Sequence, residues 1–129
     1  MNHRRGGPLL LATLFAAFVW TLTVVATRRY QRFEVAGRSM SPAYNPGDWL
    51  LVDLHAYRHR LPLPGEAVII RDVRQPARQL IKRIYRVSDD GQLDVRGDNS
   101  FESTDSRQFG LVTPSLLVGK VQWRFHREK

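Results

Sequence analysis

Between Arg5 and Arg28 the chain carries no charged side chain, and residues 9–26 are mostly Leu, Ala, Val and Phe with Trp20 among them. Such a run has few folded options. As a helix rising 1.5 Å per residue, about twenty residues span about 30 Å, the thickness of a bilayer's hydrocarbon core. Thr13, Thr21 and Thr23 fit within it, because their hydroxyls can bond carbonyls of the preceding turn. The alternative is a cleaved signal peptide, with Arg4 and Arg5 as its basic start and Val24-Val25-Ala26 as an acceptable cleavage site. The run is longer than a usual signal-peptide core and Arg28-Arg29 follow at once, which favours a retained anchor. Orientation stays open, since Arg4, Arg5 and the amino terminus are matched across the span by Arg28, Arg29 and Arg32. The expected organisation is a tail and anchor over residues 1–29 and one folded domain over residues 30–129.

About 100 residues remain for that domain, enough for one small core. The absence of cysteine excludes disulfides, thiolate metal sites and a cysteine nucleophile. A net charge of +8 suits an anionic neighbour, but the basic residues are scattered with no run longer than a pair. This is a membrane-surface bias more than a nucleic-acid footprint, and nucleic acid is not an expected partner. After the anchor the pattern is short β-runs broken by Pro and Gly, at residues 33–36, 49–54, 67–71, 79–87, 92–96 and 116–125. Asp89-Asp90-Gly91 reads as a hairpin turn, residues 97–110 as an irregular loop, and no helical periodicity appears. The fold expected is mainly β: one N-terminal transmembrane helix, then a small coiled β-sheet or partial barrel. His55 and His59 have the i, i+4 spacing of a metal-binding helix, yet no third ligand is near and the stretch reads as a surface loop. No metal and no cofactor are expected.

Two stretches carry chemistry. Residues 37–48 are dense in turn formers and lie between two β-runs, so Ser39 is a hydroxyl held on a turn. It either caps that turn or stands where a nucleophile would be useful. Along residues 79–87 side chains alternate, so Lys82 shares a face with Leu80 and Ile84, and Arg83 shares the other with Ile81 and Tyr85. A lysine between aliphatic neighbours either snorkels its ammonium to water or is desolvated. Desolvation lowers its pKa from about 10.4 toward 7–8, where it becomes a workable general base, a role closed to arginine.

Four blocks, in order, resemble the type I signal peptidase family of membrane-bound serine proteases. Gly37-Arg38-Ser39-Met40-Ser41-Pro42, followed by Gly47-Asp48, is similar to the family's nucleophile block. Pro64-Gly65-Glu66-Ala67-Val68-Ile69-Ile70 resembles a structural strand block, and Lys82-Arg83 the base block. Gly97-Asp98-Asn99-Ser100-Phe101-Glu102-Ser103-Thr104-Asp105-Ser106-Arg107-Gln108-Phe109-Gly110 closely resembles the closing block. The resemblance implies Ser39 as nucleophile and Lys82 as general base. It further implies Ser103 as the hydroxyl that orients the lysine, and Asp105 with Arg107 as a bracing pair, Arg83 alongside. Gly37 and Met40 would lie where substrate approaches. The family often has threonine after the block's proline, where this chain has Ala43, and some members have serine where it has Gly37. An oxyanion hole would therefore rest on backbone N–H groups, that of Ser39 foremost.

The activity so implied is a membrane-anchored serine endopeptidase removing N-terminal signal or leader peptides from precursor proteins, with the lipid bilayer as its other partner. Such an enzyme would sit in the cell membrane by a single span, its catalytic domain on the extracytoplasmic face. The short catalytic part and the run Ser103-Thr104-Asp105-Ser106-Arg107-Gln108-Phe109-Gly110 also resemble the subgroup that trims the leader of nickel-containing superoxide dismutase. A non-catalytic, basic, membrane-tethered β-module is the reading from a different class.

Overall fold

A computed structural model describes residues 7–126; Arg4 and Arg5, whose charges enter the topology argument, lie outside the described residues. The apolar run forms a single helix, α1 (Gly7–Arg29), with no buried residue along its length. It is long and apolar enough to cross a membrane. The threonine hydroxyls do bond back, Thr21 Oγ1 donating to the Ala17 carbonyl at 2.8 Å and Thr23 Oγ1 to Val19 at 2.9 Å. Arg28 and Arg29 fill its last turn, where cations meet the negative end of the helix dipole. The helix is one compact unit and the chain from Gln31 onward is another.

The second unit is built on a six-stranded sheet: β1 (Tyr30–Glu34), β2 (Trp49–Asp53), β3 (Ala67–Arg71), β4 (Gln79–Val87), β5 (Leu93–Arg96) and β6 (Leu117–Phe125). The strand order is β1-β2-β6-β3-β4-β5. The pairs β2–β6, β6–β3, β3–β4 and β4–β5 are antiparallel, and register shifts break the β2–β6, β3–β6 and β4–β5 ladders. Such irregularities bend and twist a sheet, the curvature expected of a coiled β domain. The fold is thus mainly β, one N-terminal helix followed by a single curved sheet, as the sequence suggests.

The run Ala67-Val68-Ile69-Ile70 is apolar on both faces because both faces of β3 are covered. Ile69 packs with Val35, Met40, Leu50, Val52 and Ile81, whereas Val68 and Ile70 pack with Ile84, Leu93, Val95 and Val112. Each fully buried aliphatic side chain contributes about 1.5–3 kcal/mol, so these two clusters hold the sheet. Lys82 lies opposite Val68 in the ladder, on the face of the second cluster.

Two local details differ from the expected pattern. The first strand runs over Tyr30–Glu34 rather than residues 33–36, directly continuing α1. Val35 instead closes the neck of the Ser39 loop, its N–H donating to the Asp48 carbonyl at 2.9 Å while its own carbonyl accepts from Gly47. Within residues 97–110 a single helical turn, α2 (Ser106–Phe109), replaces part of the expected irregular loop. The polar insert at residues 55–60 is pinned by Glu66, whose carboxylate accepts from Tyr57 Oη at 2.8 Å and Arg60 Nη2 at 2.9 Å. Burial alone would raise the Glu66 pKa; bonds from Arg60, Tyr57, the Leu63 N–H and Lys120 outweigh it and hold the carboxyl well below its usual range.

Candidate active site

Lys82 is brought to the site by β4 and is only 2% exposed. Burial is the main reason its pKa falls, to about 8; Asp105 pulls the other way, and the fields of Arg74, Arg107 and Arg78 lower it further. Its Nζ donates to Ser103 Oγ at 3.0 Å, and Ser103 Oγ donates to Asp105 Oδ2 at 2.7 Å. A neutral amine that donates one such bond keeps its lone pair free to accept a proton.

Asp105 anchors this chain of bonds. It is fully buried and accepts from the Gly97 N–H at 2.8 Å, from Arg107 Nε at 2.9 Å and from Arg107 Nη2 at 2.6 Å. Burial would raise its pKa, but Arg107, the Gly97 N–H and Ser103 together keep it ionised far below the usual carboxylate range. The same side chain caps α2, accepting from the Arg107 N–H, while Gln108 answers to the Asp105 N–H at 2.9 Å. This capping box over Asp105-Ser106-Arg107-Gln108 was readable in the sequence as an N-cap acid followed three residues later by Gln.

The Ser39 turn is tied to the closing loop through its backbone. The Ser39 carbonyl accepts from the Asn99 N–H at 2.8 Å, and the Arg38 carbonyl from Asn99 Nδ2 at 3.2 Å. Ser39 and Lys82 both line one cleft of about 250 Å³, with Gly37, Arg38, Leu80 and Ile81 among its walls. No direct hydrogen bond joins the two side chains among the described residues; the amine rests on Ser103. Nothing lies within 4 Å of where a Cβ would stand on Gly37, so the backbone there is open to an approaching chain.

Not every expected site residue gathers here. Arg83 points to the other face and makes a bidentate pair with Asp98, Nε to Oδ1 and Nη2 to Oδ2 both at 2.8 Å, with Nη1 on the Gly65 carbonyl. It braces the loop, not the Asp105–Arg107 pair. Met40 corrects the expectation of a substrate-facing side chain. It is fully buried in the first core cluster, and its sulfur accepts the Asp98 N–H at 3.4 Å. An unbranched apolar side chain in a turn is drawn to the nearest core rather than to water.

Gly97 is the residue whose importance the sequence hid. A Cβ there would stand 2.2 Å from Ser103 Oγ and 2.6 Å from the Ser39 carbonyl oxygen. Only glycine lets the closing loop lie between the serine turn and the hydroxyl that holds the lysine. Gly97→Ala should cost about 1–3 kcal/mol of stability by overpacking. Because the clash falls on Ser103 and Ser39, activity at a temperature where the variant is still folded should drop as well. Unchanged denaturation and turnover would show that the loop relaxes without consequence. Arg74 and Arg78, from the loop around Pro76, also line the cleft and were not anticipated.

The family model for signal peptidase, peptidase S26, matches residues 8–90, a stretch that includes both Ser39 and Lys82. The chain belongs to the S26 signal peptidase family. Among relatives of this S26 chain, subunit 1b of the mitochondrial ATP-independent inner membrane protease of Arabidopsis thaliana is 31% identical, over 86% of this chain and 79% of its own. Mitochondrial inner membrane protease subunit 2 of Schizosaccharomyces pombe is 32% identical over 67% of this chain and 59% of its own. The subunit 2 of Danio rerio is 27% identical over 92% and 75%. The closing block, with Ser103, Asp105 and Arg107, lies beyond the stretch that the S26 family model covers.

Proposed function

We propose that this S26 chain is a membrane-anchored serine endopeptidase that removes N-terminal leader segments from precursor proteins. The observation that carries the reading is a buried lysine, its pKa lowered to about 8, opening on the same cleft as Ser39. Lys82, in its neutral form, takes the Ser39 hydroxyl proton as Oγ bonds to the scissile carbonyl carbon. The oxyanion rests on backbone N–H groups, foremost that of Ser39. As the C–N bond breaks, the Lys82 ammonium returns its proton to the leaving amine. Water activated by Lys82 then attacks the acyl-enzyme, releasing the leader's new carboxylate and regenerating Ser39.

The sheet supports a substrate bound as an added strand. β5 pairs with β4 only over Arg83–Val87, so the edge of β4 ahead of Arg83 borders the cleft without that partner. A peptide laid there gains backbone hydrogen bonds for affinity, with side chains alternating into and out of the cleft. Relatives named as subunits of inner membrane proteases, and a helix able to cross a bilayer, support action beside a membrane. Which side the domain faces is decided by protease accessibility in sealed vesicles.

Incubating the full-length protein in detergent with a panel of precursors, and sequencing the new amino termini, tests the reading. Discrete cuts ahead of mature domains are expected; none across a broad panel would count against it. The pH profile is a second check. With the lysine pKa at about 8, kcat/KM should rise about tenfold per pH unit below that value and level off above it. A profile flat from pH 6 to 9 would remove Lys82 as the base.

A further inference from the structure

The cleft is rich in positive charge. Arg38, Arg74 and Arg78 all line it, against a single carboxylate, Glu102. Glu102 is engaged by Asn99 Nδ2 at 3.3 Å and neutralises none of the arginines. Arg74 is clamped in place, its Nε and Nη2 donating to the two oxygens of Asp72, both at 3.0 Å, with Asp72 only 1% exposed. Arg38 and Arg78 are exposed, and neither guanidinium has an ion-pair partner among the described residues. Keeping Lys82 neutral accounts for Arg74 and Arg78, whose fields lower its pKa, whereas Arg38 is not among the main influences on that amine. Arg38 adjoins Ser39 in the chain and shares the cleft wall with it.

We infer that the cleft selects substrates carrying an aspartate or glutamate within a few residues of the cut, bound by the exposed guanidiniums of Arg38 and Arg78. The inference rests on Ser39 as nucleophile, since that fixes where the cut falls. A guanidinium offers a planar fork that matches a carboxylate, and charge-assisted bonds of this kind are the stronger class. A peptide is favoured over a lipid headgroup because the arginines border the same cleft as the open edge of β4, which a lipid phosphate would not need. Being exposed, the contact is screened by salt.

The test uses the full-length chain in detergent and peptides copied from a mapped precursor cut, in pairs differing only by Asp or Asn at one position. At one or more positions the Asp peptide should have a kcat/KM at least about tenfold higher, the scale of one charge-assisted bond. That ratio should fall toward one in an Arg38→Gln, Arg78→Gln double variant, and also in high salt. Arg78→Glu should shift the preference from Asp toward Lys. Ratios near one at every position, with cleavage still dependent on Ser39, would overturn the inference and leave the peptidase reading intact. If precursors are cut but these short peptides are not, anisotropy of labelled peptides on Ser39→Ala decides the inference. Tighter binding of the acidic peptide supports it, and equal binding overturns it. Arginine-dependent binding of phosphatidylglycerol vesicles without any acid preference would assign these residues to a lipid surface instead, and would also overturn it.

Discussion

Ser39→Ala and Lys82→Met should each lower kcat/KM by at least about 10⁴-fold, the loss typical when a nucleophile or its base is removed. Neither change should unfold the protein. Ser39 is half-buried on a turn held by backbone bonds that alanine keeps, the Asn99 N–H to the Ser39 carbonyl among them. Methionine fills the volume of Lys82 among Val68, Leu80 and Ile84 without an amine to desolvate. Lys82→Met should in fact raise stability at neutral pH. Burial holds the lysine pKa at about 8 in the folded protein, below its ordinary value of 10.5. The folded state therefore binds fewer protons than the unfolded state between those two values, and stability rises with pH across that window. Below about pH 8 the penalty of the buried ammonium is present in full. Denaturant titrations from pH 6 to 9.5, short of where tyrosine ionises in the unfolded chain, should show this rise in the wild type and a much flatter profile in Lys82→Met. Cleavage persisting in either variant would exclude the Ser/Lys pair, and matching pH profiles would mean that the amine is solvated.

Asp105→Ala should have the largest effect on stability of any single change at the site, about 3–5 kcal/mol, the cost of removing one partner of a buried, hydrogen-bonded ion pair. The side chain accepts at once from Ser103, Gly97 and Arg107 and also caps α2. Its loss strands a buried N–H and a hydroxyl, unpairs a guanidinium and frees the helical turn. Ser103 would then have no acceptor to fix its hydroxyl, so the lysine amine loses its orientation. Activity per folded molecule should therefore fall further than stability predicts. Thermal denaturation combined with turnover below the melting transition separates the two effects. A variant as stable and as active as the wild type would mean that Arg107 and water replace the carboxylate.

The sequence was most informative where the physics is local. An uncharged run bounded by Arg5 and Arg28 has to be helical in a bilayer, because only a helix satisfies its backbone there. Strands β3 and β4 were placed to the residue because Val and Ile concentrate there between Pro and Gly breaks. The face occupied by Lys82 followed from alternation alone. The Ser39, Lys82, Ser103, Asp105 and Arg107 set was legible only through its resemblance to a family, since no spacing rule joins residues so distant in the chain.

What the tertiary structure alone decided is which of these groups meet. It turned Met40 into the first core cluster, paired Arg83 with Asp98, and set Gly97 against Ser103 and Ser39. It also brought Arg38 from one loop, and Arg74 and Arg78 from another, to one cleft. Periodicity fixes the face on which a side chain stands, because it depends on neighbours in the chain. A partner depends on how a twisted, bulged sheet folds its distant edges together, and short-range pattern carries no record of that.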